Sequence, residues 1–161
     1  MAITTQGASY PLESFGPTPA IPNGDGGYQL GAGNLSEINF SNASAPATVS
    51  SGDATLTAAQ LLTSIIIGSP GSSAAAYTLP TVANLEAALP SIVKTGAIID
   101  FTIINANGSG SGVITVTTNT GWSIGTSGSQ GLMTIAATAG TSQRYRARKT
   151  GTGTWSLYQL A

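Results

Sequence analysis

From Thr95 onward, apolar and polar positions alternate with period two, and that alternation predicts a β-rich body. In Ile98-Ile-Asp-Phe-Thr-Ile-Ile-Asn105 the apolar Ile99, Phe101 and Ile103 alternate with Asp100 and Thr102, as in a strand with one face buried. The loop Asn107-Gly-Ser-Gly-Ser-Gly112 is flexible enough to join two antiparallel strands. Val113-Ile-Thr-Val-Thr-Thr118 is β-branched throughout, which suits a pleated surface. Gly121–Gly125, Leu132–Ala136, Thr141–Lys149 and Thr154–Leu160 follow as turn-separated strand candidates. Strands at ~8–12-residue spacing with glycine-rich turns predict an all-β fold, a jelly-roll-like antiparallel β-sandwich. No fixed-period repeat is present, which argues against a solenoid.

Upstream the pattern mixes short helices with strands. Thr57 can cap a helix over residues 58–64, because its hydroxyl can accept from an orphan N–H of the first turn. Ile65-Ile66-Ile67 reads as a buried strand stopped by Gly68-Ser-Pro-Gly71. Tyr77-Thr-Leu-Pro80 resembles an edge strand ending at its proline. Thr81 supplies a second cap, and Val82, Leu85 and Leu89 recur at helical spacing until Pro90.

The first fifty residues follow neither period. Pro11, Pro17, Pro19 and Pro22 are interleaved with glycines, which break helix and strand alike. Residues 1–51 therefore read as an extended irregular arm and linker, and 52–161 as the body. The arm still carries Tyr10, Leu12, Phe15, Ile21, Tyr28, Leu30 and Phe40, with only Glu13, Asp25 and Glu37 as charges. Disordered tails are poor in apolar residues and rich in charge. Anchors spaced along an extended chain instead suggest a strap that orders against a neighbouring surface. Ordering costs about 1–2 kcal/mol per residue in backbone entropy, which aromatic anchors can offset by filling pockets or adding strands to an exposed edge.

Composition sharpens that reading. Charged residues are 7% of the chain against ~25% in typical domains, so an isolated monomer would tend to associate. Charge is also segregated. Residues 1–93 hold no lysine, arginine or histidine, while 94–161 hold Lys94, Arg144, Arg146, Arg148 and Lys149 against the single acid Asp100. In a strand Arg144, Arg146 and Arg148 project from one face, where they would meet water, an acidic partner chain or, least favoured by so thin a basic footprint, nucleic acid. No run of ~18 apolar residues is present to span a membrane, and the start MAITTQGASY lacks the regions of a signal peptide.

With no histidine and no cysteine, the usual general base and the usual nucleophilic dyads are missing. No catalytic residue, cofactor or metal site is therefore expected. Asn23-Gly-Asp25-Gly lacks the repeated acids of a calcium loop, and no Gly-Lys-Ser/Thr phosphate loop occurs. Asp53, Glu86 and Asp100 are the body's only carboxylates. A glycosidase reading would require a second carboxylate facing Asp100.

Thr55-Leu-Thr-Ala-Ala-Gln-Leu-Leu62, Tyr77-Thr-Leu-Pro-Thr81, Gly96-Ala-Ile-Ile-Asp-Phe-Thr-Ile-Ile-Asn105 and Arg148-Lys-Thr-Gly-Thr-Gly-Thr-Trp-Ser-Leu-Tyr158 run in an order that resembles a β-rich module of tailed-phage (cyanophage-like) and marine-virus structural proteins. Some of these decorate capsids as cement proteins and others form head or tail fibres. The resemblance covers roughly residues 53–160 and carries no catalytic residues. It implies a jelly-roll-like body that assembles as a homotrimer on the outer capsid surface, with the N-terminal segment gripping the major capsid protein and neighbouring copies. The alternative is a fibre or spike subunit that reads a host surface through the loops 105–112 and 125–130. In that case Trp122 would be either a sugar platform or, the favoured use, core packing.

Overall fold

The computed structural model of the chain describes residues 21–22, 28–29, 45–50, 52–91, 93–125, 130–131 and 133–160. Two two-residue strands, β1 (Ile21–Pro22) and β2 (Tyr28–Gln29), pair antiparallel with Ile21 opposite Gln29. The body then runs β3 (Ala47–Ser50), β4 (Ala54–Thr55), α1 (Ala58–Leu62), β5 (Ile65–Ser69), β6 (Ala75–Thr78) and α2 (Val82–Ala87). It continues through β7 (Ile98–Asn105), β8 (Ile114–Thr117), β9 (Trp122–Ser123), β10 (Thr134–Ile135), β11 (Thr141–Gly151) and β12 (Thr154–Gln159). The fold is β-rich with two short helices. Among the described residues no helix is long and apolar enough to cross a membrane.

A six-stranded sheet has the order β3-β5-β7-β11-β12-β9, and a four-stranded sheet the order β10-β8-β6-β4. Both are mixed, not antiparallel as the turn spacing suggested. β3, β5 and β7 stack in parallel, as do β4, β6 and β8, and β9 lies parallel to β12. Only β10 with β8, and β11 with β7 and β12, are antiparallel within these sheets. From β3 to β8 the chain crosses from one sheet to the other at every strand. It thus winds three coils, each laid on the one before, as in a solenoid. The sequence hid this because the coils differ in length. Ala54 pairs with Tyr77, and Tyr77 with the much more distant Val116.

Chemistry repeats where length does not. Thr55, Thr78 and Thr117 share one ladder row, and the Thr78 and Thr117 hydroxyls lie 2.9 Å apart. Leu56 and Leu79 each donate their amide to the next coil and bury their side chains. Thr57 and Thr81 then cap α1 and α2, accepting from the Gln60 and Asn84 amides, and Leu61 and Leu85 anchor the helices in the core. The first two coils therefore each carry a threonine-leucine strand end followed by a capped turn of helix, as the two caps foretold.

The core lies between the two sheets. Ile66, Ile99, Phe101, Ile103, Tyr145, Trp155 and Leu157 of the larger sheet pack with Tyr77, Ile114, Val116 and Ile135 of the smaller. Close approach explains Gly68, where a Cβ would sit 2.7 Å from both Ile114 Cδ1 and Tyr77 Oη.

Four local expectations differ from what is observed. The stretch read as linker contributes β3, which joins the sheet edge because its partner β5 offers an unpaired ladder. Ile65–Ile67 is a strand, but only Ile66 is buried; Ile65 is 40% exposed. β6 is an interior strand between β8 and β4, and Pro80 follows the strand and so removes no ladder donor. The loop 107–112 joins strands of different sheets, not a hairpin. Asn105, fully buried, holds it in place. Its amide donates to Gly112 O and Ala136 O, both at 2.8 Å, and its oxygen accepts from the Gly108 amide.

Candidate functional site

Strand β11 carries four of the body's five cations, and they lie on both of its sides. Its burial alternates, with Tyr145 and Ala147 turned into the core and Arg144, Arg146 and Arg148 turned outward. The expectation that the three arginines share a face is met. Their surroundings come from register. Arg146 stands directly opposite Asp100 on β7 and opposite Tyr158 on β12.

Asp100 is 7% exposed, so its carboxylate needs partners to stay ionised. Arg146 supplies a two-pronged contact, Nε to Oδ1 at 2.7 Å and a terminal nitrogen to Oδ2 at 2.8 Å. Arg144 adds a bond to Oδ2 at 3.0 Å. The hydrogen bond from Arg146 dominates the burial of the carboxyl and holds the Asp100 pKa below its usual value, with Arg144 contributing less. The same bond raises the pKa of Arg146. Arg144 and Arg146 thus both engage Asp100 within the chain, with the Arg144 side chain still mostly exposed. Arg148 is exposed and forms no ion pair among the described residues. Two guanidiniums share one carboxylate and a third stands beside them, which leaves the face cationic.

Apolar side chains frame this cluster. The register aligns Ile65 with Thr102, and Thr102 with Arg144. Leu160 extends the same row by donating its amide to Arg144 O. Ile65 and Leu160, 40% and 42% exposed, are the large hydrophobic residues most open to solvent among those described. The row thus runs apolar, polar, cationic, apolar, from β5 through β7 and β11 to the residue just past β12.

On the inward side, near the end of β11, Lys149 bonds to Glu86 of α2, and Trp155 Nε1 donates to the same carboxylate oxygen at 3.1 Å. The Lys149 ammonium also lies 5.9 Å from the Trp155 ring centroid, within cation–π range. Burial pushes the Glu86 pKa up, but the bonds from Lys149 and Trp155 outweigh it and leave the value lowered. A cleft of about 200 Å³ opens beside this pair, lined by Glu86, Leu89, Pro90, Ser91, Val93 and Lys149.

The three body carboxylates do not converge. Asp53 accepts from the Ala76 amide at 2.7 Å, Glu86 is on the core side of the larger sheet and Asp100 on its outer side. Among the described residues, the side chains bonded to Asp100 include the pair Arg144 and Arg146. No group of three or more potential metal-ligating acids occurs among the described residues. Trp122 donates to Pro80 O at 2.6 Å and packs tilted on Trp155 at 6.3 Å between ring centroids, the core use favoured from sequence.

Of the arm residues expected to bind partners, Ile21 and Tyr28 are positioned as strand backbone in β1 and β2. Tyr10, Leu12, Phe15, Leu30 and Phe40, like Asn23 and Asp25, lie outside the described residues. Asp100 was legible as the lone acid of its half. Its role as the hub of the arginine comb was not, because period two gives the face of each strand but not which strands pair. Compared with known protein families, curated proteins and solved structures, the chain matches none.

Proposed function

We propose that this chain is a structural virion protein, without catalytic activity, that decorates and stabilises a phage capsid on its outer surface. Its N-terminal arm binds capsid subunits and neighbouring copies, and its body assembles as a homotrimer. The reading takes its family from the sequence resemblance, and does not depend on jelly-roll topology. The observation that carries it is the mismatch between arm and body. An arm with apolar anchors and only acidic charges adjoins a body whose outer sheet face holds surplus arginine between exposed Ile65 and Leu160. Such a pairing suits a protein that adds interface across a shell.

Quantitative mass spectrometry of purified virions tests it through the copy number relative to the major capsid protein. A ratio near one is expected; absence from virions would end the proposal. One observation favours a second reading, a fibre or spike subunit. β3 and β4, both of the first coil, are the terminal strands of their sheets, so both sheets present an edge at the same end, where a partner could extend them. A ratio far below one would move the assignment to that role.

A further inference from the structure

We infer that the outer face of the six-stranded sheet is the seat of the acidic N-terminal segment, residues 1–44 of this same sequence. The inference stands apart from the capsid reading, because it concerns where the segment binds and not what the assembly is for.

Three observations carry it. The face is cationic by composition, with Arg144 and Arg146 both bonded to Asp100 and Arg148 left exposed without an ion pair among the described residues. Residues 1–44 are its complement, with Glu13, Asp25 and Glu37 and no cation. Complementary charge selects a partner and penalises like-charged alternatives. The face is also partly apolar. Ile65 and Leu160 are its most exposed members, with Ile67, Ile104 and Tyr158 half-buried around them. The segment supplies matching anchors, among them Leu35, Ile38 and Phe40 on either side of Glu37.

Connectivity is the third. The segment enters the body at β3, the edge strand of this very sheet. From β3 to β11 is three inter-strand steps, roughly 14 Å at ~4.8 Å each. An extended chain covers ~3.3 Å per residue, so the residues between Glu37 and β3 span that distance with length to spare. The seat is reachable by a chain's own segment and by a neighbour's.

The absence of cysteine makes the test clean. Asn39→Cys in the segment and Ser142→Cys, exposed on the face, are combined in the full chain and treated with a short bismaleimide. Thr134→Cys on the smaller sheet replaces Ser142→Cys as control, and near-UV dichroism of Trp122 and Trp155 verifies folding. The expected result is a 39–142 crosslink well above the 39–134 control. Adding Arg148→Glu should reduce it several-fold, and adding Glu37→Lys to that variant should restore it. A crosslink at monomer mass would support the seat but contradict the arm's role as a strap between copies; a crosslink at multimer mass would support both. Equal yields at 142 and 134 would overturn the inference. So would a 142–142 adduct in place of the 39–142 one, since it would assign the face to a second copy packed face to face.

Discussion

The two charged clusters of β11 use the same interactions to opposite ends. Near the core-facing end, one lysine, one glutamate and a tryptophan N–H close on each other, and the Lys149 side chain is only 12% exposed. Donors and acceptor there are in balance. On the outer side one aspartate serves two arginines while a third stands beside it, and the Arg144 side chain is 57% exposed. The first cluster is finished within the chain. The second has cations to spare. A balanced buried pair fixes a fold, whereas a surplus of one sign on a half-apolar face leaves attraction for something else.

Breaking the balanced cluster has the largest expected effect. Glu86→Ala would leave the Lys149 ammonium and the Trp155 N–H buried without their acceptor, and stripping one partner from a buried pair costs more than the pair contributes. Urea denaturation should show a loss of about 2–4 kcal/mol. A loss under half of that would mean the two clusters are alike. On the outer face, Arg146→Ala removes the two-pronged contact from a buried carboxylate and should cost about 1–3 kcal/mol. Arg144→Ala, whose side chain is mostly in water, should cost less than about 1 kcal/mol. The order of the three, not their absolute size, is what sharpens the comparison.

Acid sharpens it further. The pKa values of Asp100 and Glu86 are both lowered by the fold. A carboxyl with a lowered folded value contributes stability that is present above its ordinary range, near ~4, and is lost as pH falls through the folded value. Stability should therefore drop on acidification below about pH 5. Asp100→Asn, less stable at neutral pH, should show a shallower acid limb in thermal unfolding followed across pH. An unchanged slope would detach Asp100 from the acid response.

Between these charges sits Tyr145, buried and stacked on Phe101 at 5.4 Å, with a hydroxyl that finds no hydrogen-bond partner among the described residues. An unpartnered buried hydroxyl costs free energy that its removal returns. Tyr145→Phe should leave stability unchanged or raise it by up to about 1 kcal/mol; a clear loss in urea denaturation would mean the hydroxyl is satisfied.

How much of this was legible follows a simple division. Information carried by neighbours along the chain survived the reading. Thr57 and Thr81 announce their helices, because a cap is a local hydrogen bond. The alternation of Ile99, Phe101 and Ile103 with Asp100 and Thr102 gives the two faces of β7, and the arginines at every second position give those of β11. Information carried across the chain did not survive. Unequal coil lengths concealed the parallel ladder, and no local signal pairs Asp100 with Arg146. Asn105 shows the same limit, since a turn-favouring residue by composition proved to be a buried clamp between the 107–112 loop and Ala136.

The smallest expected effect is the most pointed. Arg148→Ala should change stability by no more than about 0.5 kcal/mol, the ordinary range for a surface substitution that removes no partner. Ile98 and Ser156, its neighbours across the ladder, offer no charge for it to satisfy. If urea denaturation shows Arg148→Ala costing as much as Arg146→Ala, then Arg148 belongs to the closed network and the contrast between the clusters collapses. If stability is unchanged while self-association at low salt weakens in sedimentation velocity, the surplus cation acts between chains or segments. That loss should fade at high ionic strength, where exposed charges are screened beyond ~3 Å at 1 M salt.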